Sequence, residues 1–280
     1  AFLLAAVLSP TDPVVTSAVV TSHLVPRSVR HTLNLESGLN DGLALPFVLF
    51  FLVLASPGGD AGMEAAKLVG QAAVGGLIGV LLGAAAGRAH RHLPGGGISG
   101  EYEGIYAIGI ALLAYGLADV TWGNGLIAAF VCGIAMAASE HGVPEGFVGF
   151  SENVSTIFQV ITFFVFGALI ITTGFHQSVP ALVAFIVFAL LIARPVAVLA
   201  SFLRTRTPRT EKIFMAWFGP KGVASMLFAL LVLKSEVPDA GLVFDVASLT
   251  IVTSIAAHGL TDTIGTRWMR NRASGPEPGR

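Results

Sequence analysis

Apolar runs of about 20 residues, separated by short clusters of turn residues, recur from one end of this chain to the other, and a helix of that length crosses the ~30 Å hydrocarbon core of a bilayer. They cover residues 1–24, about 32–55, about 63–89, 102–118, 125–139, 154–173, 179–203, about 211–234 and about 240–265. Nine such runs predict an all-α polytopic membrane protein, because a helix satisfies its own backbone where no water is available. Turn residues such as Ser56-Pro57-Gly58-Gly59 and Pro94-Gly95-Gly96-Gly97 punctuate them. Charge is correspondingly scarce, 12% of the 280 residues, about half that of an ordinary soluble domain. This excludes a disordered chain, a nucleic-acid binder and a conventional water-soluble enzyme. The single cysteine, Cys132, excludes an internal disulfide and a Cys-built zinc site, and reads as a small apolar helix residue. Residues 1–8 lack the basic flank of a signal peptide. With no Met at position 1, the chain reads as an N-terminally truncated piece of a longer membrane protein.

Basic residues set the orientation. Connections after odd-numbered runs, with the tail, hold Arg27, Arg30, Arg88, Arg91, Arg204, Arg206, Arg209, Lys212, Arg267, Arg270, Arg272 and Arg280. The other side holds only Lys67 and Lys234. By the positive-inside rule the C-terminus is cytoplasmic and residue 1 starts outside.

The two remaining basic residues, Arg194 and Lys221, lie within apolar runs, as do Asp12, Glu36 and Asp41. Ionisable groups at membrane depth are costly and mark function. The first run is broken at Ser9-Pro10-Thr11-Asp12-Pro13 and the eighth at Gly219-Pro220-Lys221-Gly222. Proline removes an amide donor and clashes with the preceding turn, and unwound backbone at that depth must be buried or line a cavity. Two interrupted helices in corresponding places point to a midplane site in an inverted-repeat transporter. Asp12 also reads as a simple N-cap preceding Pro13.

Between the breaks lies Glu36-Ser37-Gly38-Leu39-Asn40-Asp41. Residues four apart share a helix face, so Ser37 and Asp41 present oxygens together. Thr11, Asp12 and freed carbonyls complete a set suited to Na⁺, K⁺ or a proton. The alternative is a polar patch that binds helices together. Arg194 needs a counter-charge, and Glu36 can supply it, leaving Asp41 free; otherwise Arg194 snorkels to the interface. Lys221 either neutralises the carbonyl ends of facing half-helices or reaches the interface. The three acids and two bases leave one negative charge, balanced by one monovalent cation or one proton.

Other polar residues carry less. Glu140, His141, Glu145 and Glu152 read as a solvated loop, with a pH-sensing patch as the alternative. His258 reads as a helix-end hydrogen bonder near the cytoplasmic side, and Phe163-Phe164-Phe166 as packing or lipid contact.

Several segments resemble the monovalent cation/proton antiporters of the NhaP and eukaryotic sodium–proton exchanger type. They are residues 8–14, Glu36 to Gly42, residues 123–130, Arg194-Pro195, residues 217–225 and His258-Gly259-Leu260-Thr261. Electrogenic relatives carry Asp-Asp where this chain has Asn40-Asp41. Relatives often carry Arg at the place of Lys221, a change that keeps the charge. The resemblance implies an inverted-repeat fold of about thirteen helices, entered here at the fifth, with the two broken helices crossed. It implies a core domain over 1–56, mixed dimerisation and core helices over 57–150, the second half of the core over 151–267 with its break at 219–222, and a cytoplasmic tail over 268–280. It implies a secondary transporter, not an enzyme, without cofactors, homodimeric, and resident in a bacterial inner membrane. Asp41 would bind either the cation or H⁺, with Asp12, the Thr11 carbonyl and Ser37 completing the shell. Asn40 would steady the unwound span, and Glu36 would pair with Arg194.

Two other readings use the same residues. One is a carrier of an anionic or organic solute, which the midplane acids disfavour. The other is an intramembrane aspartyl hydrolase using Asp12 and Asp41. Ser37 and Asn40 have no task in that chemistry, and no H-E-x-x-H, G-x-S-x-G or P-loop occurs.

Overall fold

The computed structural model describes residues 1–57, 61–92, 100–138, 145–173 and 178–273, and every regular element among them is helical. The first unit begins with α1 (Phe2–Val7), a 3-10 turn (Pro13–Thr16), α2 (Ser17–Thr21) and α3 (Arg27–Ala55). Next come α4 (Ala61–His92), α5 (Gly100–Val120), α6 (Gly125–Ala137) and α7 (Glu145–Thr173). Then follow α8 (Val179–Phe188), a π-helical turn (Ala189–Ala193), α9 (Arg194–Ser201), α10 (Arg209–Trp217), α11 (Val223–Leu233) and α12 (Ala240–Ala273). Glu140 and His141 lie outside the described residues, whereas Glu145 and Glu152 fall inside α7, which begins earlier than the apolar run alone indicates.

Six described helices are long and apolar enough to cross a membrane: Arg27–Ala55, Gly62–Ala89, Tyr102–Val120, Asn153–Ile171, Val179–Ser201 and Ala240–Arg272. The other three expected spans are built from shorter pieces. Residues 1–24 and 211–234 divide at their interruptions, and α6 has 13 residues, about 20 Å at 1.5 Å per residue.

The chain forms two compact units, Ala1–Pro57 with Phe166–Arg280, and Gly58–Val165. In the first, proline chemistry shapes the helices. Pro10 and Pro13 flank the non-helical stretch after α1, and Pro220 sits in the stretch between α10 and α11. Pro195 cannot donate to the carbonyl four residues back, at Leu191, and that residue lies in the π-helical turn, which widens the ladder where the bond is missing. Pro46 lies inside α3 and leaves the Gly42 carbonyl, one residue past Asp41, without its helical donor.

The core at one end of this unit joins Val19, Val25, Val29, Leu33, Phe214, Met215, Phe218 and Met269, with Trp217 and Trp268 against it. Helix α12 buries polar side chains and exposes apolar ones along part of its length. Ser248, Ser254, His258, Asp262 and Thr266 are buried, while Leu260 is 78% exposed and Ile264 is also exposed. That inversion suits a helix whose outer solvent is lipid. Phe166 packs edge-on to Phe244 at 5.8 Å, and Phe164 is exposed, so the aromatic run both packs and faces outward.

The second unit rests on a glycine-lined contact. A Cβ at Gly75, Gly79 or Gly83 of α4 would run into the backbone of Asn124, Ala128 or Cys132 respectively. Glycine every fourth residue therefore lets α4 and α6 approach backbone to backbone, with Cys132 buried in the seam. Asn124 caps α6, its side-chain oxygen accepting from the Ile127 amide at 3.0 Å, and its own amide donates to the Gln71 carbonyl at 2.9 Å.

Candidate functional site

The two interruptions of the first unit meet. The Asp12 amide donates to the Pro220 carbonyl at 2.8 Å, and the Val223 amide makes a long 3.5 Å contact to Asp12 Oδ2. Val223 is the first residue of α11. Asp12 thus faces the amino end of the other broken helix, where a carboxylate is favoured. Pro13, the next residue, opens a 3-10 turn, and α2 beyond it has Thr16 as its N-cap residue, with no side-chain cap bond. Ser225 in the first turn of α11 reaches the Pro10 carbonyl at 3.5 Å.

Glycine makes these approaches possible. A Cβ at Gly222 would fall on the Asp12 carboxylate, and one at Gly219 would fall on the Arg194 guanidinium.

Helix α3 lies against the first interruption. Ser37 is buried and its hydroxyl donates to the Thr11 carbonyl at 2.5 Å. One turn further along α3, the Asp41 carboxylate interacts electrostatically with Asp12, and its buried Oδ1 has no hydrogen-bond partner among the described residues. Thr11, Asp12, Ser37 and Asp41 are thereby brought together. Asn40 lines a neighbouring groove of about 310 Å³ with Ser9 of the interruption and Phe2, Ala6, Leu43 and Phe47.

The second interruption is held by the Arg194 guanidinium. Arg194 Nη1 donates to Glu36 Oε1 at 2.8 Å, and Nη2 donates to the Phe218 carbonyl at 3.1 Å and the Met215 carbonyl at 3.4 Å. The Arg194 side chain is 8% exposed, so it does not snorkel. One guanidinium joins α9, α3 and the carbonyl end of α10, where a helix carries its negative dipole end. Lys221 is 7% exposed and does not reach the interface either; its amide donates to Ser254 Oγ at 3.0 Å.

Two buried acids of α12 escape the sequence reading, and a buried histidine of the same helix lies elsewhere than it expects. Asp245 (6% exposed) and Asp262 (8%) are more buried than Asp12, Glu36 and Asp41, the acids that reading selected. The same rule, an acid inside an apolar run, identifies both, and the one-charge residue of the five central groups holds only around the interruptions. His258 is buried mid-helix, not at a helix end, with Nε2 2.8 Å from the Trp217 carbonyl.

The fold and this meeting of broken helices define a polytopic membrane-protein architecture, and comparison with known proteins agrees. Residues 1–267 match the family described as "Sodium/hydrogen exchanger, transmembrane", and the chain belongs to that family. Its members are transporters, not enzymes. The chain is 25% identical to the K(+)/H(+) antiporter NhaP of Alkalimonas amylolytica over 98% of its own length and 48% of that protein's. It is 28% identical to a probable Na(+)/H(+) antiporter of Schizosaccharomyces pombe over 83% of its length and 33% of that protein's. The fold matches the sodium proton antiporter MjNhaP1 from Methanocaldococcus jannaschii with a TM-score of 0.72 and 19% identity, over 96% of this chain and 70% of that one. The chain spans about half the length of the NhaP relatives it matches, 48% and 46% for the first two.

Proposed function

We propose that the protein exchanges a monovalent cation, Na⁺ or K⁺, for H⁺ across the membrane. The carrying observation is the buried Asp41 Oδ1, without a hydrogen-bond partner among the described residues, beside Asp12 and the Ser37–Thr11 contact. Asp41 is the carboxylate that holds either the cation or the proton. Asp12, the Thr11 carbonyl and Ser37 supply the remaining oxygens, as a hard cation requires. Cation and proton compete for one charge, so each turnover exchanges one for the other and the cycle is electroneutral.

The remaining charges are structural. The Glu36–Arg194 pair and Lys221 neutralise the second interruption, and Asn40 steadies the unwound span. Residues 1–56 and 151–267 form the core, 57–150 contribute dimerisation and core helices, and 268–280 form a cytoplasmic tail. The chain then belongs to a homodimer of about thirteen helices per protomer with crossed broken helices, in which the core rocks to give alternating access. The bacterial relatives and the distribution of arginines support a plasma-membrane location with the C-terminus cytoplasmic.

Proteoliposomes carrying the full-length protein test this reading. Na⁺- or K⁺-driven proton flux is expected, and it is expected to vanish in Asp41→Asn. Flux that persists in Asp41→Asn overturns the assignment.

A further inference from the structure

Helix α10 ends among buried residues, and its last carbonyls need donors from elsewhere. Arg194 serves two of them, at Met215 and Phe218. The carbonyl between them, Trp217 O, meets His258 Nε2 at 2.8 Å. A carbonyl oxygen only accepts, so this bond is made when Nε2 carries the proton and donates.

The other ring nitrogen, Nδ1, lies 2.6 Å from the Ser254 carbonyl and 3.3 Å from its hydroxyl. A neutral ring accepts there from the hydroxyl, and a protonated ring donates to the carbonyl. In both states the bond to Trp217 survives. Ser254 Oγ meanwhile accepts the Lys221 amide at 3.0 Å. The ring is clamped by stacking on Trp217 at 5.0 Å, and Trp217 Nε1 donates to Thr261 Oγ1 at 3.0 Å.

The groups around the ring are the Trp217 and Phe218 rings, Arg194 with its partner Glu36, Lys221, and Asp262 one turn further along α12. None removes the need for a donor at Trp217 O. His258 and Ser254 therefore touch both ends of the second interruption, at Trp217 and Lys221, from one face of α12.

We propose that His258 is the positioning residue of the second interruption. Acting through Trp217 O and Ser254, it fixes the backbone whose Pro220 carbonyl and Val223 amide in turn hold Asp12. Its part in transport rests on the exchange reading above, whereas its part in holding the backbone does not.

Amide exchange across residues 217–223, measured on the full-length protein in detergent, separates the two. Gln places a donor where Nε2 stands, and Asn places one only near Nδ1. Loss of one buried hydrogen bond is expected to lower amide protection about tenfold in His258→Ala and His258→Asn, with His258→Gln within about threefold of the parent. Ser254→Ala, a milder change, is expected to expose the Lys221 amide by a similar factor. Cation-driven proton flux should follow the same order. Unchanged protection in His258→Ala, or His258→Gln as exposed as His258→Ala, overturns the inference. A parent protein without cation–proton exchange removes the functional reading but leaves the amide result to decide this one.

Discussion

The amide of Asp12 donates to the carbonyl of Pro220 at 2.8 Å, so the two interrupted helices are tied to each other by backbone. Each break satisfies part of the other, and a change in one is transmitted to the acid in the other.

Glycine at the contact is required for space. Gly222→Ala is expected to push the Asp12 carboxylate aside and lower exchange at least about tenfold, and Gly219→Ala to displace Arg194 with a similar loss. Gly38, on the same helix as Ser37, has nothing within 4 Å of an added Cβ. Gly38→Ala should leave flux unchanged and raise helix stability by up to about 1 kcal/mol. Flux assays and thermal unfolding of the three variants, side by side, check this contrast.

Removing one member of the Glu36–Arg194 pair strands a buried charge. Glu36→Gln is expected to destabilise the protein by about 3–5 kcal/mol, and the double variant Glu36→Gln with Arg194→Gln by less than the sum of the singles. Arg194→Lys should not rescue, because a point charge cannot meet Glu36 and two carbonyls at once. Unfolding curves in detergent measure all of these.

Ser37 donates to Thr11 O and so fixes that carbonyl beside Asp41. Ser37→Ala is expected to weaken apparent cation affinity about five- to tenfold, as one lost hydrogen bond allows. The maximal rate should change little, and flux measured against cation concentration separates the two.

The α4–α6 seam makes a prediction about folding alone. Gly79→Val is expected to destabilise the Gly58–Val165 unit by about 2 kcal/mol or more, because its Cβ would strike Ala128 O and Cys132. Gly109→Ala, with open space at its Cβ inside α5, should not destabilise that unit. Proteolysis or amide exchange confined to that unit tests the difference.

Helical architecture was legible in the sequence because apolar run length reports bilayer thickness directly. Both interruptions were visible through Pro10, Pro13 and Pro220. Helix periodicity placed Ser37 and Asp41 on one face, but spacing carries no distance between α3 and α9. The 2.8 Å approach of Arg194 to Glu36 is a product of packing. The π-helical turn before Arg194 was hidden inside an unbroken apolar run, and only Pro195 signalled it. His258 was misplaced because its depth depends on where α12 ends, at Ala273 and not near residue 265. Asp245 and Asp262 were overlooked although the rule that found Asp41 applies to them.

The proposed competition at Asp41 also fixes a sign. Lower pH fills the carboxylate with protons, so the apparent KM for the cation should rise as pH falls, by up to about tenfold per unit, with the maximal rate little changed. Flux titrations at several pH values show whether KM moves in that direction.

Proton release on cation binding tests the central claim most directly. Calorimetric titration of the purified protein with Na⁺ or K⁺, in buffers of different ionisation enthalpy, counts the protons displaced. At a pH where Asp41 is protonated, about one proton is expected per cation bound, and none in Asp41→Asn. Cation binding that releases no proton from the parent protein, or releases as many from Asp41→Asn, would contradict the account.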